Sequence, residues 1–289
     1  MLQVISTVTY VNFLEDFMTL SRHVAAAGLA ALAAVSAIAG QPVKPWSAES
    51  IPGTFSAPTG LAYDASGSLY ITEWSAHRVT HIDKTGARKV VTDLVRSPSG
   101  IAVGRDGVVY VSSYSDGVVH RLSPGGRPQV FVRGLRTPAG LSIGRDGNLL
   151  IADRGLNQVL QADASGTTRV LADGLPTPVG AVELADGTLV VSNFAGSVVE
   201  VRPDGTQSEL TRKLGAPAVG IVADGADAVL VSDYAGTSVW RVTRSGSAST
   251  VIQDLRSPVA MARSADGSEV AVGNWGDGTV RRYRKGDGQ

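Results

Sequence analysis

Cysteine is absent from the 289-residue chain. Its absence excludes disulfides, a thiol nucleophile, a thiolate-held metal and a lipid attached through sulfur. An excess of charge of one sign is missing as well. Lys plus Arg equals Asp plus Glu at 26 each, with no basic stripe or charge run. Binding to nucleic acid or to an anionic membrane surface rests on clustered Lys and Arg, so neither partner is expected. Neither His-Glu-x-x-His nor Gly-x-Ser-x-Gly occurs, which removes the corresponding zinc-hydrolase and nucleophile-elbow readings. Beyond residue 40 no segment keeps a helical period over three turns, which argues against a helical fold. What remains is a chain with 43% hydrophobic residues and 34 glycines. That is ample for a large core and points to many tight turns rather than disorder.

Residues 24–40 read VAAAGLAALAAVSAIAG, preceded by Arg22 and His23 and ending around Ala37-Ile38-Ala39. A basic start, an apolar stretch and a small-x-small site predict a cleaved secretory signal. With its upstream extension the signal occupies residues 1–39, and a secreted or periplasmic protein is expected. A retained anchor is the rival reading. Seventeen residues at about 1.5 Å each make about 25 Å of helix, short of the roughly 30 Å hydrocarbon core. No membrane span is therefore expected after cleavage. Met18, just ahead of the signal, is an alternative start to Met1.

The glycines follow a period. Gly60, Gly100, Gly140, Gly180 and Gly220 stand forty residues apart, and Ala260 continues the series. Val79, Val119, Val159, Val199 and Val239 keep the same spacing, with Val280 one residue late. Such a period means one supersecondary unit copied in tandem. The first copy, Pro58 to Ser97, opens on a Pro-x-Gly corner and carries four short apolar runs between Gly and Asp turns. Those are strand signals. Asp106-Gly107, Asp146-Gly147, Asp186-Gly187 and Asp266-Gly267 supply the positive φ of tight hairpins. They lack the spacing and closing Glu of a calcium-binding EF-hand loop.

Four antiparallel strands in about forty residues describe a propeller blade. Pro corners at 58, 98, 138, 178, 217 and 258 count six blades. The chain is expected to be all-β, with one six-bladed β-propeller in residues 40–289. The sixth copy ends at Arg284 after its third strand, so residues 46–55 are expected to pair beside Thr279–Tyr283 and close the ring. Closure removes unpaired strand edges. The valine series is expected to be core.

Strand direction places each Pro-x-Gly corner and the end of each second strand on one face of the ring. The second strands end at Glu73, Ser113, Asp153, Asn193, Asp233 and Asn274. Two readings compete for this polar column. Asp and Asn commonly cap backbone amides at strand ends. Alternatively, Glu73, Asp153, Asn193, Asp233 and Asn274 converge as oxygen ligands of a divalent cation, Ca²⁺ or Mg²⁺. The next residues are Trp74, Tyr114, Arg154, Phe194, Tyr234 and Trp275. Five aromatics at one repeat position, in a chain with 6% aromatic residues, suggest a ligand wall. Arg154 is read either as a partner of Asp153 or Glu73 or as an anchor for a ligand carboxylate. His77 follows Trp74 on the same face and is the histidine placed to partner Glu73 in acid–base work.

The units PTGLAYDASGSLYITEWSAHRV and PAGLSIGRDGNLLIADRGLNQV resemble NHL-type repeats. They are also similar to the repeats of the virginiamycin B lyase group and of the regucalcin/gluconolactonase group, over nearly the whole chain after the signal. The resemblance implies a six-bladed or similar propeller. In the lyase group it implies a His at a first-strand corner and a Glu fourteen residues later. Glu73 matches that Glu, but Thr59 stands where the His would be, and Ser99, Ala139 and Val179 occupy the same corner in the next blades. In the gluconolactonase group it implies a divalent cation held by Glu, Asn and Asp, the last two in Pro-Asn-Gly and Pro-Asp-Gly corners. Here the corners read Pro58-Thr59-Gly60, Pro98-Ser99-Gly100 and Pro138-Ala139-Gly140. Two functions are therefore carried forward, beside a scaffold with no ligand at this face. One is a monomeric exported propeller binding a small molecule at its aromatic and acidic face, with cation-assisted lactonase or lyase chemistry using Glu73 and His77. The other is a non-catalytic module for an exported protein or glycan.

Overall fold

The computed structural model describes residues 46–123 and 127–285. The expected propeller is what forms. Six four-stranded antiparallel sheets stand around a common axis. Blade one comprises Pro58–Tyr63, Leu69–Glu73, Arg78–Ile82 and Arg88–Thr92, with a single 3₁₀ turn at Trp74–Ala76. The innermost strands of the six blades are Pro58–Tyr63, Pro98–Val103, Pro138–Ile143, Pro178–Glu183, Pro217–Ala223 and Pro258–Arg263, and each packs against its two neighbours around the hub. The signal and the start read over residues 1–39 lie outside the described residues. Among the described residues no helix is long and apolar enough to cross a membrane.

The ring closes as the sequence predicts. Trp46–Ser50 pairs antiparallel with Thr279–Lys285, from Trp46 opposite Lys285 to Ser50 opposite Arg281. The pairing is shorter than the expected 46–55. Ile51 still donates to Val280 O at 2.9 Å, but Pro52 has no amide to continue the ladder and Gly53 turns at φ 86°. The valines at 79, 119, 159, 199, 239 and 280 are all buried. Each sits in a third strand, where it fills the space between neighbouring blades.

Close approach of neighbouring first strands explains the glycine series. A Cβ on Gly60 would lie 2.4 Å from Ser99 O, and one on Gly100 would lie 2.4 Å from Ala139 O. In four blades the second strand places a hydroxyl residue opposite the glycine position that reaches a first-strand carbonyl of the next blade. Thr72 donates to Ser99 O (2.6 Å), Ser112 to Ala139 O (2.7 Å), Ser192 to Ala218 O (2.9 Å) and Ser232 to Val259 O (3.0 Å). Blade six inverts the arrangement. Ala260 replaces the glycine, and its cross-strand partner is Gly273 rather than a hydroxyl residue. A Cβ on Gly273 would meet the Ala260 Cβ at 3.0 Å. The methyl and the missing side chain exchange places across the pair.

Candidate functional site

The corner and column residues meet in register in every blade: Pro58 with Glu73, Pro98 with Ser113, Pro138 with Asp153, Pro178 with Asn193, Pro217 with Asp233 and Pro258 with Asn274. One face of the ring therefore carries both sets, as the strand directions predict. The next residue is anchored identically each time. The amides of Trp74, Tyr114, Arg154, Phe194, Tyr234 and Trp275 donate to the carbonyls of Ala57, Ser97, Thr137, Thr177, Ala216 and Ser257. Four of those acceptors, Ala57, Ser97, Thr177 and Ser257, have positive φ. A non-glycine residue held there stores strain that surrounding bonds must overcome.

The six anchored side chains form a collar around the hub. Trp275 lies 6.1 Å from Trp74, and Trp74 lies 5.3 Å from Tyr114, edge to face. The Tyr114 hydroxyl accepts from Arg154 Nη1 at 3.1 Å. The Arg154 guanidinium sits 4.7 Å over the Phe194 ring, which lies 6.4 Å from Tyr234. Aromatic and cation–π pairs at these separations are attractive. Trp74 and Tyr114 are buried, while the other four are half-buried. All six line one bowl, whose floor is built by the middle residues of the Pro corners, Thr59, Ser99, Ala139, Val179, Ala218 and Val259. The floor residues were missed in the sequence reading, although the same period that gave the collar gives them. The bowl encloses about 30 Å³, roughly the space of one water. A larger molecule would rest on the collar rather than sink into the hub.

Beneath the collar the polar column is buried, and mostly for a structural reason. Glu73 accepts from the Ser56 amide (2.8 Å), from Arg78 Nε (2.7 Å) and Nη2 (2.8 Å), and from the Thr80 hydroxyl (2.5 Å). Burial alone would raise its pKa. The bonds from Arg78, Thr80 and Ser56 outweigh burial and hold it below the usual carboxylate value. Asp153 accepts from the amides of Arg136, Thr137, Gly155 and Leu156. Asp233 accepts from Gly215 and Ala216, and Asn274 from Arg256. Ser113 donates to Arg96 O. Each fastens the loop entering its own blade to the end of the second strand. Asn193 is the exception: its carboxamide makes no hydrogen bond among the described residues, and neither does the Ser197 hydroxyl nearby in sequence.

These contacts determine what the column can do. Of the oxygens read as cation ligands, those of Glu73, Asp153, Asp233 and Asn274 accept from loop amides, and among the described residues no three His, Asp or Glu side chains gather where they could hold a metal ion. A bound Ca²⁺ or Mg²⁺ does not fit this donor set. His77 is held at φ 54°, and its Nδ1 accepts from the Ser97 amide of the next blade at 3.0 Å. Glu73 is bound to Arg78, a pairing the sequence reading overlooked, although Arg78 follows five residues later across the hairpin.

Compared by sequence, the chain matches no family model and no curated protein. Compared by structure, it is similar to a gluconolactonase from Xanthomonas campestris, with a TM-score of 0.73 and 18% identity over 86% of this chain and 93% of that one. It is similar to virginiamycin B lyase from Staphylococcus aureus, with a TM-score of 0.63 and 15% identity over 83% and 99%. A nidogen/laminin complex structure matches with a TM-score of 0.61 and 22% identity over 69% and 83%. At these identities the likeness is one of fold: the chain is a six-bladed β-propeller whose structural neighbours include a lactonase, a lyase and a component of a protein–protein complex.

Proposed function

We propose that the protein is a binding propeller whose collar takes the flat face of a small ring compound. The observation that carries this reading is the continuous contact of Trp275, Trp74, Tyr114, Arg154, Phe194 and Tyr234 around one hub mouth. The half-buried rings of Phe194, Tyr234 and Trp275, backed by the buried Trp74 and Tyr114, give stacking area at low entropic cost. The single guanidinium among them favours an acidic or strongly polar edge on the ligand. A sugar acid, a lactone or an aromatic acid has both features. The basic start, apolar stretch and Ala37-Ile38-Ala39 site support action outside the cytoplasm.

Lactone hydrolysis or elimination is the second reading, suggested by the names of two structural neighbours. It requires a base at the collar. Glu73 is committed to four donors beneath it and is held ionised by Arg78, so binding without turnover is favoured. Calorimetry with an aldonolactone, its open-chain acid and benzoate tests both readings, alongside acid release from the lactone. Binding without acid release, weakened in Tyr234→Ala and Arg154→Gln, is expected. No binding of any probe overturns the collar as a ligand site. Turnover that disappears in a folded Glu73→Gln variant overturns the non-catalytic reading.

A further inference from the structure

The first strands run from the collar face to the opposite face, and what they deliver there differs in chemistry. Between the two faces the hub narrows to a waist lined by first-strand backbone and by Leu61, Ile101, Leu141, Ile221 and Met261, enclosing about 30 Å³. Beyond the waist the hub opens into a crater of about 620 Å³, lined from blades one, two, three and six. That volume lies in the range of small-molecule sites. The bowl at the collar is about 30 Å³, so the roomier end of the hub is the one with no aromatic collar.

Three arginines line this crater, Arg105, Arg145 and Arg263, against one acid, Asp64. Arg263 is paired with Asp224 at 3.1 Å, so the charge left to the lining is that of Arg105 and Arg145 against Asp64. Arg105 and Arg145 occupy the same position of Gly-Arg-Asp-Gly turns in adjacent blades, forty residues apart. Both are exposed. The Arg105 guanidinium donates to the Arg145 carbonyl at 3.0 Å, which draws the two turns together. Among the described residues the Arg145 guanidinium makes no hydrogen bond or ion pair. The acids nearby accept bonds from other donors, though each keeps its negative charge. Asp64 accepts from the Ser66 and Ser68 amides within its own turn. Glu183 accepts from the Arg145 amide. Asp224 holds Arg241, Arg263 and Lys285.

We propose that this crater binds a small organic anion carrying two or more negative charges, a phosphate ester or a polycarboxylate, clamped between Arg105 and Arg145. The planar guanidinium fork suits such oxyanions, and two forks on one rim can share a polyanion. This site is independent of the collar and lies across the waist from it.

The test is calorimetry on the full chain at low salt, with pyrophosphate and citrate as probes and a neutral hexose as blank. Wild type is expected to bind one equivalent of at least one probe, more weakly as salt is added. The double variant Arg105→Gln/Arg145→Gln is expected to lose about tenfold in affinity or more, the cost of a charge-assisted hydrogen bond. The exposed Arg133→Gln variant controls for net charge and is expected to bind as wild type. Arg105→Lys/Arg145→Lys keeps the charge without the fork and is expected to fall between. A preference for pyrophosphate assigns a phosphate ligand, and a preference for citrate a carboxylate one. Failure of wild type to bind either probe, or equal binding by wild type and the double Gln variant at matched melting temperature, overturns the proposal.

Discussion

Replacing Glu73 by Gln separates a structural carboxylate from a catalytic one. Four donors converge on Glu73: the Ser56 amide, Nε and Nη2 of Arg78, and the Thr80 hydroxyl. A carboxamide has one oxygen, so about half of these bonds survive, and its amino group faces donors. At about 1.5–3 kcal/mol for each bond to a charged group, two lost bonds cost about 3–6 kcal/mol. Arg78 is 34% exposed, so water recovers part of its solvation and the cost falls toward the lower end, about 3 kcal/mol. In a domain of this size that lowers Tm by about 6–12 °C.

The pH dependence has a definite sign. The Glu73 pKa is held below its ordinary value, so its contribution is complete above the ordinary carboxylate range and is lost as pH falls through the lowered pKa. Melting curves of wild type and Glu73→Gln, followed by circular dichroism, are expected to be well separated at neutral pH and to converge in acid. A catalytic base sitting in strain would behave oppositely, since removing it commonly stabilises the fold. An unchanged or raised Tm for Glu73→Gln at neutral pH refutes the structural role.

Other predictions follow from the same contacts. Asn193→Leu fills the same space without an unpaired buried amide, so it is expected to leave Tm unchanged or raise it, unlike Asp153→Leu, which strands four loop amides. Gly273→Ser should destabilise blade six by crowding Ala260, and Ala260→Gly in the same chain should restore stability, a coupling read by a double-mutant thermal cycle. Gly100→Ala places a methyl 2.4 Å from Ala139 O and 2.5 Å from Leu141 N, so a loss of about 3 kcal/mol or more is expected in a denaturant titration. Burial would raise the pKa of Asp224, but Arg241, Lys285 and Arg263 bring it down to about 2. Its stabilisation is therefore kept above the ordinary carboxylate range and lost as pH falls toward 2, so wild type and Asp224→Asn should melt apart at neutral pH and together in strong acid.

The blades, their number and the ring closure were legible because each rests on backbone geometry repeated at fixed spacing. The collar was legible for the same reason. A repeat position has the same Cα environment in every blade, so Trp74 and Trp275 share a face whatever their rotamers. The direction of the polar side chains was not legible. Glu73, Asp153 and Asp233 share a position, yet whether their oxygens turn to the axis or to a loop amide depends on loops of differing sequence. At the same cross-hairpin position blade six pairs Asn274 with Thr279, but among the described residues only blade one makes an ion pair there, Glu73 with Arg78, so periodicity did not expose it. The crater arginines were passed over because only two blades carry Gly-Arg-Asp-Gly, and a hairpin turn was sufficient reason for that motif.

The seam between Trp46–Ser50 and Thr279–Lys285 joins stretches separated by up to 239 positions, as from Trp46 to Lys285. Contacts at such separation form late, because the intervening chain must first be brought to heel against its own entropy. During synthesis the leading strand therefore waits, unpaired, until the final hairpin emerges. Trimming a handful of residues after position 45 would leave the last blade with a bare edge, so a sealed ring needs the chain intact from Trp46 onward.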